Sequence, residues 1–236
     1  MSPSKSENSG RISLEVISPI QKTILGYFGN TPDSEQFYLT GGTALAYFYL
    51  KHRKSNDLDF FTSTPEIITP FSHQLEATLK AHGMSVERHR GFHSFIEFFI
   101  GKDKESTIIQ LALDSAFRFE PTLQFPEYPR LKVDSLVDIA SNKLLALFGR
   151  AAPRDFIDVY SLVKKNRFSP DELMDKARKK DPGFDLYWLG VAFERIKTFD
   201  QNSTEMLLLI EPLNFQDFVA FFDHWREKIV KEIKGS

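Results

Sequence analysis

Two glycines followed by two aspartates are the feature that most constrains how this chain can fold. Gly41 and Gly42 precede a helical pattern, whereas Asp57 and Asp59 flank Leu58 in an apolar run that predicts a β-strand. Residues two apart on a strand share a face, so both carboxylates should point the same way while Leu58 enters the core. Glycine lacks Cβ and lets backbone N–H groups approach an anion at a helix N-terminus. The pattern therefore predicts a phosphate-binding turn beside a carboxylate pair.

The carboxylate pair suits Mg²⁺, which prefers oxygen ligands and takes the remainder from water and substrate phosphates. The chain has no cysteine, and its six histidines show no metal-like spacing, so thiolate chemistry and the usual structural zinc sites are excluded. We therefore predict a Mg²⁺ site at Asp57 and Asp59, with a nucleoside triphosphate (NTP) as the ligand of the glycine turn.

Apolar periodicity divides the chain into three regions. Residues 1–10 are polar and predict a disordered tail. Residues 11–130 mix helical patterns with short β-rich runs and predict an α/β core, whereas residues 131–236 have helical periodicity and predict a helical C-terminal region. Glu120–Pro129 contains three prolines and is interpreted as the crossover between them. The predicted helices are Leu14–Phe28, Thr43–Leu50, Thr69–His82, Leu136–Phe148, Asp155–Lys165, Pro170–Lys179, Leu186–Thr198 and Asn214–Ile233, and the predicted strands are Phe37–Leu39, Asp57–Phe61, Phe95–Ile100 and Thr107–Leu113.

Charge and hydropathy limit the partners. No apolar run reaches the roughly 18 residues that span a bilayer, and the N-terminus is not signal-like, so we expect a cytoplasmic protein with no membrane partner. The formal net charge of −2 provides no long-range attraction to nucleic acid. An RNA partner would therefore need local basic patches, such as Lys51–Lys54.

Two groups of motifs occur in order along the chain. The first comprises Tyr38–Leu45 (YLTGGTAL) and His52–Phe61 (HRKSNDLDFF), and the second comprises Asp138–Leu144 (DIASNKL) and Arg154–Leu162 (RDFIDVYSL). Together they resemble the motifs of the AbiEii/AbiGii toxin family of nucleotidyltransferases, which is similar to the DNA polymerase beta-like superfamily.

The resemblance implies a nucleotidyltransferase-type mixed β-sheet core with flanking helices. It implies an enzyme that transfers a nucleoside monophosphate from an NTP to a hydroxyl of RNA, such as a tRNA end, or of a protein. It also implies the toxin of a toxin–antitoxin or phage-defence pair, with a cognate antitoxin as partner. It assigns catalysis to Asp57, Asp59, Asp114 and Lys143, and nucleotide binding to Gly41, Gly42, Thr43, Arg53, Ser55, Lys143, Arg154 and Asp155.

The third acid of the site is ambiguous in this sequence. Family members commonly carry one on a later strand, where this chain has Gln110 and Asp114. These residues share strand parity but are separated by about 13 Å at about 3.3 Å per residue, so both cannot serve one metal ion. If Gln110 faces the aspartates, a catalytically degenerate nucleotide-binding or interaction protein becomes the alternative function. Asp158 is open between a site role and ordinary surface charge.

Overall fold

A computed structural model describes residues 15–235, and the predicted disordered tail lies outside them. The first helix begins at Pro19 rather than Leu14. Ser18 and Gln21 form a reciprocal capping box there, and a proline at the first helical position has no N–H that would go unpaired. The periodicity had identified the helix, whereas the capping chemistry set its start.

Helices and strands follow the predicted order with several additions. The helices are α1 (Pro19–Phe28), α2 (Gly41–Ala44, continued by the π-helical segment Leu45–Leu50), α3 (Ile68–Ala81), α4 (Leu136–Arg150), α5 (Pro153–Lys164), α6 (Pro170–Lys180), α7 (Leu186–Phe193), α8 (Thr204–Leu207) and α9 (Phe215–Gly235). The strands are β1 (Tyr38–Thr40), β2 (Asp57–Thr62), β3 (Ser85–Phe92), β4 (Phe95–Lys102), β5 (Glu105–Leu113), β6 (Leu123–Phe125) and β7 (Tyr128–Val133).

The seven strands form one mixed sheet in the order β3-β4-β5-β2-β1-β7-β6. The pairs β2–β5 and β1–β7 are parallel and the others are antiparallel. All three residues of β1 are buried, as expected for a central strand covered on both faces. The predicted α/β fold with a mixed sheet is confirmed.

Three strands were not recognised from the sequence. Strand β3 is largely exposed along its length and therefore lacks an apolar alternation. Strands β6 and β7 occupy much of the proline-containing segment that was interpreted as a crossover. Strand β7 pairs with β1 through Leu39 and Val133, so the sheet continues past residue 130. The division into a core and a helical region stays a prediction.

Strand β2 separates the core from the site. Leu58 and Phe60 are fully buried, while Asp57, Asp59 and Phe61 are partly buried on the other face. On the buried face, the ring of Phe60 stacks on Phe28 of α1, which in turn contacts Phe71 of α3. The aromatic core thus fixes β2 from one side and leaves its aspartates on the opposite face.

Within residues 15–235, no helix is both long enough and apolar enough to cross a membrane.

Candidate active site

The face of the sheet that carries Asp57 and Asp59 is called the site face. A cavity of about 720 Å³ lies where this face meets α4. It brings together most of the residues that the sequence assigned to the site. Those lining it are Gly41, Gly42, Arg53, Ser55, Asp57, Asp59, Asp114, Lys143 and Arg154, together with Gln110.

The glycine turn, Gly41–Gly42, packs against the carboxylate of Asp59 on one side and the guanidinium of Arg53 on the other. Gly41 has a φ of +71°, and a Cβ there would lie 2.1 Å from the Oδ2 atom of Asp59. A Cβ on Gly42 would lie 2.6 Å from the Nη2 atom of Arg53 and 3.2 Å from the Oγ atom of Ser55. Both glycines are therefore required by close contact, and the first also by its left-handed conformation. Contact with Asp59 places the start of the helical segment 41–50 directly beside the carboxylates.

We expect Gly41→Ala to displace Asp59 as well as to strain the backbone. The left-handed conformation alone costs about 1–2 kcal/mol for a residue with a Cβ, and the contact with Asp59 Oδ2 forces that carboxylate to move. Denaturant unfolding and Mn²⁺ binding would measure the two effects, and we expect Mn²⁺ affinity to fall at least about tenfold, or about 1.4 kcal/mol. Gly149→Ala is the matched control, because no atom lies within 4 Å of its added Cβ. An unchanged Mn²⁺ affinity in Gly41→Ala would contradict this account.

The acid pair, Asp57 and Asp59, carries negative charge that the surrounding cations neutralise only in part. Burial raises the pKa of Asp57; Glu97 adds to the rise, whereas Arg154, whose Nη1 lies 3.9 Å from Asp57 Oδ2, opposes it. Burial also raises the pKa of Asp59, with Lys143 opposing the rise and Asp57 adding to it. The backbone of Asp59 pairs with β1 and β5, but within the described part of the chain its carboxylate forms neither a hydrogen bond nor an ion pair. A bound cation would reduce the repulsion between the two carboxylates.

The donor set fits Mg²⁺. Among residues 15–235, no cluster of three histidine, aspartate or glutamate side chains is arranged to hold a metal ion. Two carboxylates suffice for Mg²⁺, because it usually keeps several waters and also takes oxygens from substrate phosphates. Asp57 and Asp59 would therefore hold the ion, and a bound triphosphate would complete its shell.

We expect the cation affinity of the acid pair to weaken as pH falls. Protons compete with the metal once the pH approaches the pKa of the carboxylates, and burial raises both pKa values above the ordinary 3.8. Below that point the apparent Kd for Mn²⁺ should rise about tenfold per pH unit for each proton displaced. Titration by electron paramagnetic resonance between pH 4 and 8 would measure it. An Mn²⁺ affinity that stays constant from pH 8 down to pH 4 would refute the prediction.

Asp158 of α5 organises the cations of the cavity wall. It accepts hydrogen bonds from Arg53 Nε at 2.6 Å and Nη2 at 2.9 Å, forms an ion pair with Lys143 Nζ at 2.8 Å, and lies 2.7 Å from His52 Nε2. Burial alone would raise the pKa of Asp158, but the charges of Arg53 and Lys143 outweigh it and hold that pKa well below its usual range. Asp158 is fully buried, so the surface-charge interpretation is wrong.

His52 completes this cluster as a neutral residue. Burial lowers the pKa of His52, and the nearby Arg53 and Lys143 add to the effect against the pull of Asp158. Since an ionised Asp158 can only accept, Nε2 carries the proton, and the buried Nδ1 has no hydrogen-bond partner among the described residues. The cluster thus sets one buried carboxylate against two cationic side chains.

Thr43 and Asp155 lie outside the cavity. Helix α2 begins at Gly41, and the buried Thr43 hydroxyl donates to the backbone carbonyl of Asp57. Asp155 is buried and accepts two hydrogen bonds of 2.8 Å from Arg150, which does line the cavity. Both residues are predicted from the motifs to bind the nucleotide, whereas in the structure they support other groups. Thr43 holds the first residue of β2 through the Asp57 carbonyl, and Asp155 orients Arg150.

The sequence motifs missed one wall of the cavity. Thr204, Glu205 and Leu208 reach it from the C-terminal region. The backbone N–H of Lys54 donates to the Leu208 carbonyl at 2.8 Å. The C-terminal region contacts the segment before β2 through main-chain groups here, so a pattern of side chains in the sequence could not predict this contact. Asn142 and Arg150 of α4 also line the cavity; both belong to the stretch of the chain that carries the second group of motifs, but the motifs assigned them no role.

The strand register distinguishes the two candidates for the third acid position. Gln110 is the direct partner of Asp59 across the parallel pair β2–β5. Asp114 lies beyond the end of β5, where Tyr38 Oη donates to its Oδ2 at 2.5 Å and its own N–H donates to the Thr62 carbonyl. Gln110 therefore occupies the position beside the acid pair, and the catalytic role of Asp114 stays a prediction.

The fold and the site define a class of protein: a mixed sheet whose acid pair abuts a glycine turn at a helix start is the architecture of a nucleotidyltransferase. A model of the family described as the nucleotidyl transferase AbiEii toxin of type IV toxin–antitoxin systems matches residues 23–229, and the chain belongs to this family. The resemblance inferred from the motifs and the assignment as a transferase are thereby confirmed.

Relatives and solved structures agree with this membership. The protein aq_aa25 of Aquifex aeolicus (strain VF5), described as uncharacterized, is 28% identical over 190 residues, covering 79% of this chain and 84% of the relative. JHP933 from Helicobacter pylori is 18% identical with a TM-score of 0.58, covering 92% of this chain and 91% of that one. MenT4, a nucleotidyltransferase toxin of Mycobacterium tuberculosis H37Rv, is 16% identical with a TM-score of 0.55, covering 90% and 82%. At these identities the structural likeness shows the fold alone.

Proposed function

We propose that this protein is a Mg²⁺-dependent cytoplasmic enzyme that transfers a nucleoside monophosphate from an NTP to a hydroxyl of RNA, such as a tRNA end, or of a protein, and that a cognate antitoxin restrains it. Family membership supports the assignment of this protein as a toxin and as a nucleotidyltransferase. The observation that supports the metal and the substrate is the only partly neutralised acid pair in contact with the glycine turn. That contact would allow a cation and a polyphosphate to bind within reach of one another.

The residues of the cavity have complementary tasks in such a transfer. Backbone N–H groups at the start of α2 would bind the phosphates, and Arg154, which is about half exposed, would add a cationic contact. Lys143 faces Asp59 and would bind the polyphosphate from the α4 side. Mg²⁺ held by the acid pair would neutralise charge that develops on the phosphate oxygens.

The test is transfer of label from each of the four NTPs, carrying a labelled α-phosphate, to bulk tRNA or to total cell protein. We expect one acceptor class to become labelled with Mg²⁺ and to fall to background with EDTA, because the acid pair then lacks its counter-ion. A γ-phosphate label should not transfer, since pyrophosphate is released. Labelling that persists in EDTA, or that comes from the γ-phosphate, would rule out the proposed reaction.

A second function is favoured by Gln110, which places an amide where family members commonly carry an acid. In that case the protein binds an NTP but transfers nothing. Equilibrium NTP binding separates the two: a labelled NTP that binds in a Mg²⁺-dependent manner, without labelling either acceptor class, would support the degenerate nucleotide-binding protein.

A further inference from the structure

A row of polar side chains crosses the site face of the sheet at the level of Asp59. Thr40 of β1 pairs with Asp59 of β2, Asp59 with Gln110 of β5, and Gln110 with Glu97 of β4. Arg90 of β3 ends the row opposite Glu97. The carboxylate missing from the position of Gln110 is therefore present one strand further from the acid pair.

Glu97 fixes the orientation of the Gln110 side chain. The Nε2 atom of Gln110 donates to Glu97 Oε2 at 2.8 Å. A carboxylate can only accept, so the amide must present its NH₂ group to Glu97, and the Oε1 atom is left facing away from that carboxylate. Gln110 lines the cavity, so its oxygen is the atom available to a ligand there.

The Glu97 side chain lies in a position largely shielded from solvent. Its side chain is only 13% exposed, and its nearest cation, Arg90 Nε, is 3.7 Å away on a side chain that is 67% exposed. The effect of Glu97 reaches the acid pair, because it raises the pKa of Asp57. A hydrogen bond from an amide to a carboxylate also polarises the amide and strengthens its oxygen as an acceptor.

The positions of the glycine turn and of Gln110 define two sides of the acid pair. In phosphoryl-type transfers, the attacking and leaving oxygens lie roughly in line, on opposite sides of the phosphorus. The glycine turn is on the β1 side of Asp59, whereas Gln110 is on the β5 side. With the triphosphate bound at the turn, its pyrophosphate would leave toward β1, so the attacking hydroxyl would arrive over β5.

We propose that Gln110 is the acceptor-side residue of this site, its amide oxygen accepting a hydrogen bond from the attacking hydroxyl, and that Glu97 is the positioning residue that orients and polarises this amide. The hydroxyl oxygen bonds to the α-phosphorus as the bond from that phosphorus to pyrophosphate breaks. Because an amide oxygen orients the hydroxyl without taking its proton, that proton passes to water. This inference rests on the proposed transferase function. In this arrangement the carboxylate that family members commonly carry on β5 is replaced by Glu97 on the neighbouring strand β4. The neutral amide oxygen of Gln110 makes the contact that orients the hydroxyl.

The experiment compares Gln110→Ala, Glu97→Gln and the exchange variant Glu97→Gln/Gln110→Glu. The acceptor is bulk tRNA or total cell protein, whichever the wild type labels. We expect Gln110→Ala to lower kcat/KM for the acceptor at least about tenfold and Glu97→Gln about three- to tenfold, while Kd for the NTP and for Mn²⁺ stays within about threefold. The exchange variant returns the carboxylate to β5 and should regain at least the activity that Glu97→Gln loses. Gln124→Ala on the exposed strand β6 and Glu127→Gln in the adjoining turn are matched controls.

The outcomes separate this inference from a structural role and from the proposed function. If Gln110→Ala retains kcat/KM for the acceptor within about twofold, or if the exchange variant is no better than the single variants while folded and NTP-bound, the inference is overturned. Loss of NTP binding and of thermal stability in all three variants would indicate a structural role and would also overturn it. A wild type that binds NTP and labels neither acceptor class would instead refute the proposed function.

Discussion

Asp59→Asn should abolish nucleotidyl transfer, with a loss of about 10³-fold or more, while making the fold more stable at neutral pH. The loss is expected because the amide cannot supply the charge that would hold Mg²⁺ against the phosphates. The gain is expected because burial and the neighbouring Asp57 raise the pKa of Asp59, which means that the folded state favours its neutral form. Asparagine has the same shape without the charge.

The sign of the pH dependence follows from that raised pKa. Above it, wild-type Asp59 is ionised and the fold bears the cost of a buried charge, which Asp59→Asn removes. As pH falls through it, folded Asp59 takes up a proton and the advantage of the variant declines; it vanishes below the pKa of an unfolded aspartate, where the side chain is neutral in both states. Urea unfolding at a series of pH values from 4 to 8 would measure this, with label transfer measured at pH 8. Asp103→Asn in the exposed β4–β5 turn, where φ is 55°, is the control and should change neither quantity. A destabilised Asp59→Asn at pH 8 would contradict our description of the acid pair.

The sequence predicted the site where a local pattern determined the geometry. Alternation along β2 requires Asp57 and Asp59 to share a face, whatever the rest of the fold does. The two glycines were identified by their permissive backbone, and the structure adds what each one avoids: Asp59 for Gly41 and Arg53 for Gly42.

The sequence could not predict relations between strands. Gln110 and Asp114 have the same parity on β5, so alternation gives both the same face and cannot decide which lies opposite Asp59. That decision depends on the register of β2 against β5, and the pairing of Gln110 with Glu97 depends on β4. Glu97 was not selected from the sequence, because a single glutamate in an aromatic strand carries no motif.

The buried position of Asp158 was also beyond local reasoning. On α5 alone it is one of two aspartates in the first half of an amphipathic helix, which is equally typical of capping and of surface charge. Its burial arises only when α4 brings Lys143 and the segment before β2 brings His52 and Arg53 to the same point. Three separate parts of the chain must meet before this carboxylate acquires its role.

Asp158→Asn should therefore be the most destabilising of the conservative substitutions in the site. It leaves Arg53 and Lys143 buried without a full counter-charge, and breaking a buried ion pair from one side costs about 3–5 kcal/mol. The urea midpoint would record the loss. Asp155→Asn is a stringent comparison, because Asp155 is equally buried but its partner Arg150 is 51% exposed and can turn toward water. Equal losses in the two variants would show that the exposure of the partner does not set the cost.

The pH dependence of stability gives an independent check on Asp158. Arg53 and Lys143 depress its pKa in the folded state despite burial, so its contribution is fully present above the pKa of an unfolded aspartate and is lost as pH falls through the folded value. Asp158→Asn should flatten the acid side of the stability curve accordingly. Because the Arg53 side chain abuts Gly42, an unsupported guanidinium would also disturb the glycine turn, and NTP affinity should fall together with stability. Normal NTP affinity in a destabilised Asp158→Asn would mean that the turn holds its shape without this cluster.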